Sequence, residues 1–251
     1  MGDNVTRIPA RAGAPAGLCA TPTFRDIYAI LDYARDQGML AGIFGPAGVG
    51  KTTAVGAYAA AVPSVYIFRA TMRTRTERQL REAFAHDFDV WQRGAHEAAV
   101  FAAIRSKLSA GGENGILIID EAHVLADGAL EMLRYLNDPH AGHQGIAIAL
   151  VGNPVTVSQR EGRNRAMYGQ FLSRLRPLLM LDDTSDEDFE AFFDHRKIAG
   201  ARPRASIKKA ARDRGGLRAA AFIIDRAYAT AGPRALELGD VERAIAFLGY
   251  V

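Results

Sequence analysis

The 251-residue chain carries one cysteine, Cys19, and one tryptophan. A lone cysteine excludes an intramolecular disulfide and a thiolate metal cluster, and it points to a reducing, cytoplasmic setting. No apolar run approaches the roughly 20 residues that a membrane-spanning helix needs. The first 22 residues hold no apolar stretch of signal-peptide length, so the expectation is a protein that is neither exported nor inserted. Charge of neither sign dominates, since 31 Lys and Arg stand against 28 Asp and Glu for a net charge of +3. The sequence pI of about 9.1 suits a polyanionic partner only where basic residues cluster. At 49% hydrophobic and 24% charged residues, the chain can bury one substantial core with a small appended one.

The order of apolar patterns predicts an α/β architecture. Residues 1–22 are rich in Gly, Ala and Pro and read as an extended arm. A helix over 23–36 follows, with Thr23 as its N-cap and Phe24, Ile27, Ile30 and Leu31 on one face. Five short apolar runs read as buried parallel strands: Gly38–Phe44, Ser64–Ala70, Ile116–Ile119, Ile146–Val151 and Pro177–Leu181. Between them lie helices over 51–61, over 75–109 with a break near Gly94, and over 127–137. Strands alternating with helices imply right-handed crossovers and a parallel sheet covered on both faces. From Thr184 onward the pattern is helical only, over 185–195, 204–214, 216–231 and 238–248. The predicted division is an arm (1–22), an α/β domain (23–183) and a small all-helical domain (184–251).

Three strand endings carry chemistry. Gly45, Pro46, Ala47, Gly48, Val49, Gly50, Lys51 and Thr52, followed by Thr53, match the GxxxxGK[ST] phosphate-loop pattern between a predicted strand and a predicted helix. Glycines let successive backbone N–H groups turn toward phosphates, and the helix N-terminus adds its positive dipole end. Lys51 then reaches the β- and γ-phosphates of a nucleotide, and the Thr52 hydroxyl reaches Mg²⁺. The second of these endings, on the strand from Ile116, holds two carboxylates, where Asp120 suits Mg²⁺ and Glu121 suits the orientation and deprotonation of a water. His123 is open between packing, signalling and chemistry. The third ends at Asn153, which an adjacent strand would bring to the γ-phosphate. Asn153 precedes Pro154, a pair that also initiates turns, and the two roles are compatible.

Lys51, Asp120 with Glu121, and Asn153, followed by a helical tail, resemble the Walker A, Walker B and sensor 1 elements of AAA+ ATPases. More narrowly, the runs IIDEAH, ALEMLRYLND and LVGNP are similar to those of MuB-type DNA-transposition ATPases, a group related to TnsC. The likeness spans about residues 5–183 and extends more loosely to the tail. It implies a P-loop NTPase with a five-stranded parallel sheet flanked by helices, a helical lid, ATP and Mg²⁺ as cofactors, and ATP hydrolysis. It also implies an arginine seen by a neighbouring subunit's nucleotide, for which Arg174 is preferred and Arg176 is the reserve. A surface salt bridge is the plainer role for either. Arg218 falls where the lid's sensor 2 arginine is expected, and Val5–Pro9 begins as MuB-like chains do, which leaves it either packed near the adenine or a disordered arm. MuB-type proteins often carry an N-terminal helix-turn-helix domain, which this arm is too short to hold.

With no such domain expected, DNA contact falls to two basic clusters. The loop after the second strand offers Arg73, Thr74, Arg75 and Thr76 to phosphates without reading sequence. The window 196–218 holds nine Lys or Arg, among them Arg202, Arg204, Lys208 and Lys209, against one acid, Asp213. A solvated helix face is the plainer reading of either. No aromatic ladder interleaves them, so duplex backbone is favoured over stacked single strands. The resemblance then implies a protein that oligomerises with ATP on duplex DNA, as a ring or helical filament, and serves a transposase. Two other readings share the nucleotide motifs: a regulatory ATPase of the ExeA kind acting on protein partners, and a helicase loader resembling IstB and DnaC.

Overall fold

The computed structural model describes residues 17–90, 96–109, 114–139, 145–154 and 173–250. Five strands, β1 (Leu40–Phe44), β2 (Val65–Arg69), β3 (Ile116–Asp120), β4 (Ala147–Gly152) and β5 (Leu178–Met180), form one parallel sheet in the order β2-β3-β4-β1-β5. The expected α/β fold and five-stranded parallel sheet are therefore present. Strand periodicity divides the interior between the two faces. Ile116 and Ile118 pack with Ala149, Val151 and Ile43 on one face, whereas Leu117 and Ile119 pack with Ile148, Leu150 and Leu40 on the other.

Helices α1 (Pro22–Gln37) and α2 (Lys51–Ala61) cover the first face, and α3 (Glu77–Asp87), α4 (Glu97–Ser109) and α5 (Asp127–Asn137) cover the second. The helix expected over 75–109 is two helices, α3 and α4; Gly94 lies outside the described residues. The N-cap of α1 is Thr21 rather than Thr23. The Thr21 hydroxyl accepts from the Phe24 N–H, and Pro22 takes the first helical position, where its missing N–H leaves no donor unpaired. At the other end Gly38 closes α1 in the left-handed conformation (φ 63°).

After β5 come α6 (Asp186–His195), α7 (Ala201–Arg212), α8 (Gly216–Ala231) and α9 (Leu238–Phe247). They enclose a core of their own around Phe189, Phe193, Ile207, Ile223, Ile224 and Val241. Helix α7 begins three residues earlier than its sequence pattern suggested, because Pro203 falls in its first turn, where proline is tolerated.

A buried carboxylate joins this helical unit to α1. Asp188, 1% exposed, accepts the backbone N–H of Thr23 at 2.9 Å and its hydroxyl at 2.7 Å, and also the hydroxyl of Ser185 at 2.9 Å as part of the α6 capping box. Thr23 thus serves the inter-unit contact in place of the capping role. Charge-assisted bonds of this kind are the stronger ones. Asp188→Ala is expected to destabilise the chain by about 3 kcal/mol and to lower its melting temperature by roughly 6–12 °C, with Asp188→Asn intermediate. Scanning calorimetry of the three proteins checks this, and coincident melting curves would contradict it.

Candidate nucleotide site

The carboxyl ends of β1, β3 and β4 are adjacent in the sheet, so the three chemical motifs meet at one edge. The loop after β1 turns through two glycines with positive φ, Gly48 (90°) and Gly50 (100°), conformations that disfavour any side chain. Helix α2 then starts at Lys51 with Gly50 as N-cap and no side-chain capping bond. The first helical N–H with a backbone partner is that of Ala54, bonded to the Gly50 carbonyl at 2.9 Å. The N–H groups of Lys51, Thr52 and Thr53 belong to the helix's unpaired first turn. Together with the dipole they suit an anion.

Lys51 is 9% exposed and donates to the carbonyls of Gly45 (2.6 Å) and Pro46 (2.7 Å). Burial pulls its pKa below the ordinary lysine value, the carboxylates of Glu121 and Asp120 push it back up, and the Arg218 guanidinium pulls it down. Bound phosphate oxygens would favour the charged ammonium further. The Thr52 hydroxyl donates to the Asp120 carboxylate at 3.3 Å, and Asp120, 4% exposed, accepts the Glu121 N–H at 3.0 Å. This Thr–Asp pair is the donor set that a hard divalent cation takes.

Glu121 has a left-handed backbone (φ 58°), a conformation that costs a non-glycine residue about 1–2 kcal/mol. Its carboxylate lies 3.7 Å from the Arg69 guanidinium at the end of β2 and 3.2 Å from Nδ1 of His123. The His123 approach lacks hydrogen-bond geometry, and Nδ1 is buried without such a bond. Its backbone N and ring lie against Gly152, where a Cβ would sit 3.1 Å from the His123 N. His123 is thus wedged between the endings of β3 and β4.

Asp120, Glu121 and Gly152 line a cavity of about 420 Å³, together with Asn153, Arg218 and the whole segment Ala47–Thr53. Gly45 stands behind it against Leu181, where a Cβ would lie 2.6 Å from the Leu181 Cβ. The far wall holds residues that sequence reasoning missed: Leu18, Cys19 and Phe24 before and within α1, and Phe192 and His195 of α6 with its C-cap, Arg196. The Cys19 thiol donates to the Ala191 carbonyl at 3.4 Å, and burial raises its pKa. One signal for this wall was available in the run FEAFF. Phe189 and Phe193 share the core stripe at i and i+4, and the half-buried Phe192 packs at the edge of that stripe, beside the cavity. Val5–Pro9 lies outside the described residues.

Arg174 and Arg176 are at the opposite edge of the sheet. The Arg176 N–H bonds to the carbonyl of Leu40, the first residue of β1, about 13 Å along the strand from the phosphate loop. Arg174 is exposed and pairs with Asp138 at 3.2 Å, while Arg176 donates to the Ser173 carbonyl. Neither lines the cavity of its own chain.

The two basic clusters differ. Arg73 and Arg75 are exposed on and beside a 3₁₀ turn, Met72–Thr74, that the sequence pattern does not signal. The hydroxyls of Thr74 and Thr76 are used in capping, the first with Thr71 and the second with Gln79. They shape the loop and leave outward contact to the arginines. In the second cluster Arg204 is paired with Glu190 (2.8 Å) and Asp194 (2.6 Å), and Lys208 with Asp186 (3.2 Å). Acids of α6 thus neutralise residues that look unopposed in the window 196–218, and only Arg202 and Lys209 of the four candidates there are exposed.

Fold and site define a P-loop nucleotide-binding protein of the AAA class. The chain belongs to the AAA domain family, which matches residues 34–161. Among curated proteins it is similar to the Mu-like prophage FluMu DNA transposition protein B of Haemophilus influenzae, at 28% identity over 71% of this chain and 60% of that protein. It is also similar to the ATP-dependent target DNA activator B of Escherichia phage Mu, at 26% identity over 81% of this chain and 64% of that protein. The MuB-type resemblance read from the motifs is thereby borne out, although the chain spans less than two thirds of the length of these relatives. Among solved structures the fold is like that of Aeropyrum pernix ORC2 in its ADPNP-ADP complexes, with a TM-score of 0.67 at 17% identity over 96% of this chain and 71% of that one. It is also like that of Aeropyrum pernix ORC1 in complex with DNA, with a TM-score of 0.58 at 18% identity over 90% and 64%. The match to the AAA domain supports a nucleotide-hydrolysing protein of the ATPase type. Among the described residues no helix is long and apolar enough to cross a membrane.

The helical unit meets the phosphate loop backbone to backbone. A Cβ on Gly48 would lie 1.8 Å from the Gly215 carbonyl oxygen, and one on Gly216 (φ 55°) would lie 2.0 Å from Thr184 Oγ1, a buried hydroxyl without a hydrogen bond. Gly216→Ala is expected to push α8 away from the loop and to weaken nucleotide affinity by about tenfold or more, equivalent to about 1.4 kcal/mol. Thr184→Ala alone should be near neutral, since its hydroxyl forms no bond, and in the double variant it should recover part of the loss. Titration with a fluorescent ATP analogue reads all three; unchanged affinity in Gly216→Ala would show that the contact does not shape the site.

Proposed function

We propose that the chain is an ATP-dependent DNA-binding ATPase that assembles on duplex DNA and serves a transposase as target-selecting or activating protein. The reading is carried by the convergence of Lys51, Thr52, Asp120, Glu121, Asn153 and Arg218 on one cavity, in a chain whose curated relatives bear the names of transposition protein B and target DNA activator B. Those relatives favour it over the ExeA-like and helicase-loader readings. Backbone N–H groups of Gly48–Thr53 and the Lys51 ammonium hold the phosphates, with Pro46 and Val49 shaping the turn. Thr52 and Asp120 hold Mg²⁺, which when bound neutralises charge on the phosphate oxygens. Glu121 turns from Arg69 and His123 to take a proton from the attacking water, and Asn153 orients that water. Arg218 closes the helical unit over the phosphates.

Arg174 or Arg176 acts on the site of the next subunit, which makes assembly and hydrolysis interdependent. The exposed pair of Arg174 with Asp138 is of the kind worth under about 1 kcal/mol, so it yields readily to a stronger anion. Hydrolysis then dismantles what binding assembles. Glu121→Gln is expected to keep ATP affinity, to cut turnover by about 100-fold or more and to hold the assembly on DNA, whereas Lys51→Ala should bind neither. Turnover assays and negative-stain imaging with ATP and duplex DNA check both variants, and rapid turnover by Glu121→Gln would remove Glu121 from the role of base.

Phosphate contact predicts affinity that is indifferent to sequence and steeply dependent on salt. Arg73→Ala and Arg75→Ala should each weaken binding to every duplex alike and reduce the slope of log affinity against log salt by about one unit for each phosphate left unneutralised. Arg204→Ala and Lys208→Ala should leave that slope unaltered, because their charges are already paired. Fluorescence anisotropy across a salt series distinguishes the clusters; a slope that falls only in the Arg204 and Lys208 variants would reverse the assignment.

A further inference from the structure

We infer that Met72 is a wedge which enters a groove of the duplex and unstacks a base step, so that the Thr71–Thr76 loop deforms DNA as well as holding its phosphates. The inference rests on the reading of this chain as a duplex-DNA binder.

Met72 is 66% exposed, a large apolar side chain offered to solvent at the tip of the loop. Its surroundings are cationic, with Arg73 and Arg75 exposed beside it and Arg69 at the end of the strand leading into it. Isolated exposed methionines are ordinary on a protein surface. The rigidity of this one's mounting sets it apart. The Thr71 N–H bonds to Thr74 Oγ1 at 2.9 Å, the Thr74 hydroxyl donates to the Thr71 carbonyl at 3.1 Å, and the Thr74 N–H bonds to the same carbonyl at 3.0 Å. Beyond the turn, the Thr76 N–H bonds to Gln79 Oε1 at 3.1 Å. Both flanks are anchored next to the nucleotide site, since the Ala70 N–H bonds to the Asp120 carbonyl at 2.8 Å and the Ala126 N–H to the Arg75 carbonyl at 2.8 Å.

The loop's threonine hydroxyls are thus engaged in local hydrogen bonds, leaving a thioether and two guanidinium groups for outward contact. In a helix of three residues per turn, positions i and i+3 lie on one side, which aligns Met72 with Arg75 and sets Arg73 a third of a turn away. Two cations flanking an apolar tip match the chemistry of a groove, with phosphates along its walls and base edges at its floor. Methionine is among the side chains that partly intercalate between base steps in DNA-bending proteins. Its unbranched, polarisable chain adapts to a surface not fixed in advance. Without aromatic neighbours the loop has no stacking platform for a single strand, and charge complementarity selects the duplex over an apolar protein partner.

The test uses the full chain with Mg·ATP and duplexes carrying 2-aminopurine at successive positions, whose fluorescence rises on unstacking. Wild type should raise the signal on binding. Met72→Ala should bind about tenfold more weakly, as expected for loss of one buried thioether side chain, with an unchanged salt slope and no fluorescence rise. Met72→Phe should restore the rise. Binding by wild type with no rise, or a rise that persists in Met72→Ala, overturns the wedge while leaving phosphate binding intact. Failure of wild type to bind duplex at all overturns the DNA reading itself, and loss of DNA-free assembly in Met72→Ala would assign the side chain to a contact between copies.

Discussion

An ammonium held out of water demands acceptors, and the Lys51 ammonium organises the candidate site through that demand. The cost of burying an unpaired charge is far larger than the net stability of a small domain. The loop meets it in part with its own carbonyls at Gly45 and Pro46, and the sheet meets it with the carboxylates of Asp120 and Glu121. The glycines at 48 and 50 are required because only a backbone at positive φ brings the chain around one lysine in so few residues. The order β3-β4-β1 brings the carboxylates within its field although they are about 70 positions away in sequence. A phosphate ligand suits such a site because it supplies several oxygens to one ammonium, as two carbonyls do not.

The same economy of space governs the helical unit. No side chain separates the phosphate loop from the start of α8, since Gly48 faces Gly215, and Gly216 faces Thr184. Small movements of α8 are therefore felt directly by the loop, and Arg218 follows within the first turn of that helix. Against this close contact stands the clasp of Asp188 with Thr23, which ties α6 to α1 on the far wall of the cavity. The unit is held at two points, one polar and buried, the other steric, with the cavity between them.

What the sequence made legible was whatever depends on neighbours along the chain. The glycine-rich turn, the strand ending in Asp120 and Glu121, and the stripe of α5 are local patterns, and the strands and helices lie within a few residues of where their periodicity put them. Contacts between distant segments were not legible. Thr23 looked like a cap because nothing local reveals that its hydroxyl meets Asp188, 165 residues away. Arg204 and Lys208 looked like free positive charge because their acids are on a preceding helix outside the basic window. The left-handed backbone of Glu121 and the wall of Phe192, His195 and Leu18 likewise follow from packing, which no periodicity encodes.

The placement of the arginines gives the proposed assembly its logic. A cavity at the carboxyl edge of the sheet and Arg174 and Arg176 at the amino edge cannot be joined within one chain, because the strands of a rigid sheet hold them apart. Contact between the carboxyl edge of one copy and the amino edge of the next is heterologous, and repetition of such a contact gives a ring where the rotation closes and a helix where it does not. The loop bearing Met72, Arg73 and Arg75 is anchored to the segments that carry Asp120 and Glu121, so in the proposed assembly each added copy would bring that loop and Glu121 as one element. Strain on the loop would then reach Glu121 through two backbone hydrogen bonds and the Arg69 contact. A nucleotide switch and a polyanion sensor built on these adjoining strands would need no long-range pathway to be coupled, because displacement of either would move the other.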